Sequence, residues 1–139
     1  HPNINGLKAA SGNFTLLAEV MSKCGDELNV WSGNDAQIVP LMALGGKGVI
    51  SVLSNVAPRE THDLTQLCLE NRYPEAAKLQ LGLHNLIDAL FCEVNPIPVK
   101  KAMALLGWDV GGLRMPLVDP SDEHTEFIRR ELAAAGCKI

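Results

Sequence analysis

Lys8 closes the short segment INGLK, residues 4 to 8, where a mostly apolar stretch runs toward a Gly-Asn turn at Gly12 and Asn13. A charged amine in that place has two physical readings. Burial disfavours the ammonium and favours the neutral amine, the form that attacks a carbonyl to give a Schiff base. Alternatively the ammonium faces solvent or pairs with a carboxylate while its methylenes pack on apolar neighbours. Two further stretches, SGND at 32 to 35 and GVIS at 48 to 51, lie in or just after the next two strand candidates. If the strands are neighbours, these stretches bring backbone groups and small side chains beside Lys8. Glycine there lets a substrate approach the backbone, and the same composition also serves ordinary turns. In α/β barrels the catalytic groups sit at the C-terminal ends of strands and in the loops that follow, which is where Lys8 lies.

Other reactive residues form weaker patterns. Gly45-Gly46-Lys47-Gly48 has the composition of a phosphate loop but the wrong order, since it leaves a helix and enters a strand and lacks the GK[ST] ending. His62, His84 and His124 fall on different predicted helices without paired ligand spacing, so no metal site is expected. Cys24, Cys68, Cys92 and Cys137 are far apart and form no CxxC pair, which reads as buried, reduced thiols.

The elements that must position Lys8 follow from periodicity. Strands are predicted at 4 to 8, 28 to 32 and 48 to 53, the last a β-branched and apolar run of the kind buried on both faces in parallel sheets. Asn13 is placed to cap a helix carrying Leu16, Leu17, Val20, Met21 and Cys24 and ended by Gly25. A second, short helix carries Ile38, Val39, Met42 and Ala43. Pro40 requires it either to bend or to start late enough for the proline to lie in its first turn. Beyond the third strand, helices are predicted from Pro58 to about Asn71, from Pro74 to about Phe91, within NPIPVKKAMALLG up to Gly107, and from the cap Ser121 to about Gly136. Three strand-helix units imply a parallel sheet with helices packed outside it, followed by a helical tail. Three parallel strands alone leave exposed edges, so further strands or another subunit are expected to complete the sheet.

Composition narrows the function classes. A chain of 139 residues that is 47% hydrophobic has enough apolar side chains for a core. Twelve Lys and Arg against sixteen Asp and Glu, with no long run of either sign, argue against nucleic acid or an anionic membrane as a partner. No apolar stretch approaches the roughly 20 residues that cross a bilayer, and no basic segment followed by an apolar one opens the chain. A soluble, cytoplasmic location is expected. The opening His1-Pro2, which leads almost at once into a strand, suggests a piece of something longer.

Taken together, GLKAASGN, WSGNDA, LGGKGVISVLSNVAPRE and FCEVNPIPVKKAMALLG resemble the dihydrodipicolinate synthase family of pyruvate-dependent class I aldolases. The resemblance implies a (β/α)8 TIM barrel with a C-terminal helical extension, usually assembled as a homotetramer. Residues 1 to 72 would be the last three strand-helix units and residues 73 to 139 the extension. By the same resemblance Lys8 matches the lysine that forms a Schiff base with pyruvate, and Ile50 a residue whose backbone carbonyl lies against it. Gly33 matches a pocket-lining glycine, and Asn95 a residue near the pocket rim. The implied reaction joins pyruvate to aspartate semialdehyde in the lysine and diaminopimelate branch, with no cofactor. It also needs a tyrosine, a threonine and an arginine that the family carries in its first half. Tyr73, the only tyrosine here, begins an outer helical segment and is not that relay. Asn34 stands where the family commonly has aspartate, and Cys92 where a larger or β-branched residue is usual. Another pyruvate aldolase, such as an N-acetylneuraminate lyase, or a non-catalytic assembly fragment are the alternative readings.

Overall fold

Three short strands, β1 (Gly6–Ala9), β2 (Asn29–Ser32) and β3 (Gly48–Val49), form a parallel sheet in the order β1-β2-β3. The computed structural model describes all residues, His1–Ile139. Its chain separates into two compact units, residues 1–51 with 62–80, and residues 52–61 with 81–139.

In the first unit the register places Lys8 opposite Trp31 and Trp31 opposite Gly48, while Leu7 pairs with Val30, and Ser32 pairs with both Ala9 and Val49. Because strand side chains alternate between faces, the sheet has two unlike sides. One carries Val30 and Ala9, which pack on Leu17 and Phe14 of α1 (Phe14–Cys24) and on Leu41 of α2 (Ile38–Ala43). Val49 continues this side into a second cluster of Ile38, Met42, Leu64, Cys68 and Ala76, contributed by α2, α3 (Pro58–Leu69) and α4 (Tyr73–Gly82). The other side carries Gly6, Lys8, Trp31 and Gly48, none of which belongs to either apolar cluster.

Local sequence accounts for most boundaries. Asn13 Oδ1 accepts from the Leu16 amide at 3.1 Å and opens α1, and Gly25, at φ 51°, ends it. A 3-10 turn over Asp35–Gln37 delays α2 to Ile38, so Pro40 falls in the first helical turn, where its missing N–H costs nothing. Gln80 completes that helix start from a distance. Its Oε1 accepts from the Val39 amide at 2.8 Å, and its Nε2 donates to the Ala36 carbonyl at 2.6 Å.

The second unit holds the 3-10 turn Leu53–Asn55, the opening of α3, and the helices α5 (His84–Leu90), α6 (Ile97–Leu105) and α7 (Asp122–Ala134). α7 packs against both α5 and α6, with Leu86, Leu90, Ile128 and Leu132 fully buried. Ser121 Oγ accepts from the His124 amide at 3.2 Å and caps α7.

Three expectations are corrected. The third strand ends at Val49 instead of 53, because β3 has a partner on one side only and Ile50 is 49% exposed, not buried on both faces. The helix expected from Pro74 to Phe91 is divided at Leu83 into α4 and α5, next to Gly82, a residue of low helix propensity. Of the four cysteines, all free, only Cys68 is buried; the other three are half-buried.

Candidate functional site

Lys8 is the penultimate residue of β1, exposed on the side of the sheet away from the apolar clusters. The hydrogen-bond ladder continues past the strand ends: the Gly33 amide donates to the Ala9 carbonyl at 2.7 Å, and the Ile50 amide to the Ser32 carbonyl at 2.8 Å. Alternation therefore sets Ala10, Gly33 and Ile50 as the next row on the face of Lys8, Trp31 and Gly48. Lys8, Gly33 and Ile50, singled out separately in the sequence, share one surface at the C-terminal end of a parallel sheet.

The turn after β2 is built by its own side chains. Ser32 Oγ donates to the Asn34 carbonyl at 2.7 Å, and Asn34 Oδ1 accepts from the Ala36 amide at 2.9 Å. Asp35, the first residue of the 3-10 turn that Asn34 caps, is fully buried. Asn34, the departure noted in the sequence, is thus held as a turn-forming and capping side chain. Along the free edge of β1 an apolar cavity of about 250 Å³ lies between Leu7, Lys8 and the α1 residues Leu16, Leu17 and Val20.

Asn95 belongs to the second unit, exposed at the entrance to α6 in a cis peptide with Pro96. The structure brings three of the four candidates onto one face and leaves the fourth in the other unit. Tyr73 lies in the helix layer, its hydroxyl donating to the Met42 carbonyl at 3.1 Å. No group of three or more His, Cys, Asp or Glu side chains is arranged to hold a metal ion.

Two features escaped the sequence reading. The indole of Trp31 lies against Gly6 so closely that a Cβ on Gly6 would overlap its six-membered ring, and a Cβ on Gly48 would sit 3.6 Å from its Cδ1. The glycine spacing around a central tryptophan was a signal, but only the register turns it into contact. In the second unit His124 Nδ1 lies 2.6 Å from Glu93 Oε1, which also accepts from the Ser121 amide at 3.1 Å. The His124 hydrogen bond, then the Ser121 amide, hold the Glu93 carboxyl below the usual carboxylate range. Burial, and then Glu93 beside it, push the Cys92 thiol up.

The profile of the dihydrodipicolinate synthetase family matches residues 1–135. A 4-hydroxy-tetrahydrodipicolinate synthase of Clostridium novyi (strain NT) is 47% identical over 130 residues, which are 94% of this chain and 44% of that protein. The crystal structure of dihydrodipicolinate synthase from Aquifex aeolicus superposes with a TM-score of 0.95 at 38% identity, covering 98% of this chain and 46% of that one. The chloride-inhibited dihydrodipicolinate synthase of Acinetobacter baumannii, complexed with pyruvate, superposes with a TM-score of 0.93 at 34% identity, covering 98% and 47%. The chain spans somewhat under half the length of the curated relatives it matches.

Proposed function

The chain belongs to the dihydrodipicolinate synthetase family, and from that premise we propose that Lys8 forms a Schiff base with pyruvate. The neutral Nζ adds to the keto carbon, and loss of water leaves an imine. The imine is an electron sink, so a methyl proton departs to give an enamine. The enamine carbon then bonds to the aldehyde carbon of aspartate semialdehyde. Attack of that substrate's own amine on the imine carbon closes the ring and releases Lys8.

The observation that carries this reading is the position of Lys8: at the C-terminal end of a parallel sheet, on the face that the helices leave clear, with Gly33 and Ile50 in the adjoining row. Gly33 offers a surface without a side chain, and the Ile50 carbonyl is the group assigned to lie against pyruvate, as in the family. Asn95 is assigned to the rim. The relative lengths and the unpaired outer edges of β1 and β3 support reading residues 1 to 72 as the last three units of a (β/α)8 barrel, and residues 73 to 139 as its helical extension. On this reading the other half of the barrel supplies the proton relay and the carboxylate-binding arginine, and the whole is a cytoplasmic homotetramer.

The test is chemical. The full-length protein is incubated with pyruvate, reduced with borohydride and digested, and mass spectrometry is expected to find the reduced adduct on Lys8. An intact barrel whose Lys8 stays unmodified would refute the proposal.

A further inference from the structure

On the clear face of the sheet two large side chains lie across glycines of the neighbouring strand. Trp31 of β2 leans back onto Gly6 of β1, two residues before its register partner Lys8. Lys8 leans the opposite way, onto Gly33, two residues beyond Trp31: a Cβ on Gly33 would sit 2.8 Å from Lys8 Cε and 3.0 Å from Lys8 Cγ. These are diagonal cross-strand neighbours, which long side chains readily bridge. Trp31 fills the space toward the strand N-termini, and the missing side chain at Gly33 opens the space toward the C-termini. The lysine stem is laid down in that second direction.

The geometry points to Gly33 as a positioning residue for Lys8, one that holds open the channel in which the lysine stem lies and so sets where its amine is presented. This rests on the Schiff-base role proposed above, and it differs from the pocket-lining role in which Gly33 merely lets substrate approach. Reaction requires the amine to be held against the keto carbon, and a displacement of about 1 Å can cost on the order of 10²-fold in rate. A methyl group at Gly33 meets the flexible stem of Lys8 and also Ala10 Cβ, at 2.8 Å. The two contacts are separable, because Ala10→Gly removes only the second.

The experiment follows borohydride-trapped adduct on Lys8 against pyruvate concentration and pH in the full-length protein, for the wild type, Gly33→Ala and the double variant Ala10→Gly/Gly33→Ala, with thermal unfolding of each. The expected result is a saturating trapping rate lowered on the order of 10²-fold in both variants, with an altered pH profile for trapping and with the double variant unfolding close to the wild type. Rates restored in the double variant would place the effect in Ala10 packing and overturn the inference. So would unchanged rates, or a change confined to the half-saturating pyruvate concentration, which is the mark of a lining role. A wild-type protein that forms no adduct removes the Schiff-base reading itself, and the inference with it.

Discussion

At the scale of the residue, what a glycine leaves out depends on which atoms fill the gap. A Cβ on Gly46 would overlap Leu41 Cδ2 and sit 3.0 Å from the Leu41 carbonyl oxygen. Leu41 is fully buried between α1 and β2, and its carbonyl accepts from the Gly46 amide at 3.2 Å, so neither atom is free to yield. Gly46→Ala is therefore expected to destabilise the protein by about 1–3 kcal/mol, the ordinary cost of overpacking a core. Denaturant unfolding would read this as a lower midpoint at unchanged slope, and an unchanged midpoint would contradict the packing argument. At Gly33 the obstacle includes a flexible lysine stem, so the same substitution is expected to act on chemistry more than on stability. This contrast also marks what could be read beforehand. Residue type and strand-end position were enough to single out Lys8, whereas Ile50 was legible only through the family resemblance, and its place on the face of Lys8 needed the register. The direction in which the lysine leans was hidden, because it depends on which diagonal neighbour lacks a side chain, and that requires the register.

At the scale of the element, some helix ends follow local chemistry and others depend on tertiary context. Asn13 and Ser121 cap where polar side chains precede periodic apolar runs, and both were legible for that reason. The division at Leu83 was not, because Gly82 sits in a leucine pattern that runs on regardless and propensity alone does not decide. The short β3 was also illegible, since an apolar run looks the same whether or not a neighbour pairs with it. The start of α7 carries a testable addition to its cap: Glu93 Oε1 accepts from the Ser121 amide and lies beside His124, favourable positions for a negative charge at a helix N-terminus. Because Glu93 has its carboxyl lowered in the folded state, the folded protein binds that proton less readily than the unfolded chain. The interaction contributes stability above the usual glutamate value of about 4.3, and that contribution is lost as pH falls through the lowered folded value. Glu93→Gln is accordingly expected to unfold at a lower temperature than the wild type near neutral pH, with the gap narrowing as pH falls below about 4. Thermal midpoints measured across that range decide it; a gap independent of pH would show that the carboxylate charge is not the stabilising part.

At the scale of the whole molecule, the sheet is the feature that most needs explaining. Its middle strand pairs on both sides, whereas β1 and β3 each leave one edge unpaired. Leu7 and Leu16, which line the apolar cavity beside β1, are exposed, as is Ile4 just before the strand, and Ile50 is exposed on the face of Lys8. Parallel sheets are ordinarily covered on both faces, and open edges recruit other strands. These surfaces, and a chain that spans 44% of the length of the Clostridium novyi protein, fit the proposal that further barrel strands lie against them. On the Schiff-base proposal, Lys8 on this chain alone would keep its place on β1 but lack an enclosing wall and a partner to move the methyl proton, a loss that for a positioned acid or base is typically 10²–10⁴-fold. Residues 1 to 139 expressed alone are therefore expected to turn over pyruvate and aspartate semialdehyde slower than the complete protein by at least about that factor. Co-expression with the remaining part of the full-length sequence is expected to restore both turnover and Lys8 trapping. Amide exchange supplies an independent readout, since the outward-facing amides of β1 and β3 should become protected on reconstitution while those of β2 change little. Should the chain alone form the adduct at the full rate, with its edge amides already protected, the clear face would be a finished surface, and the complementary half would have no part in the chemistry of Lys8.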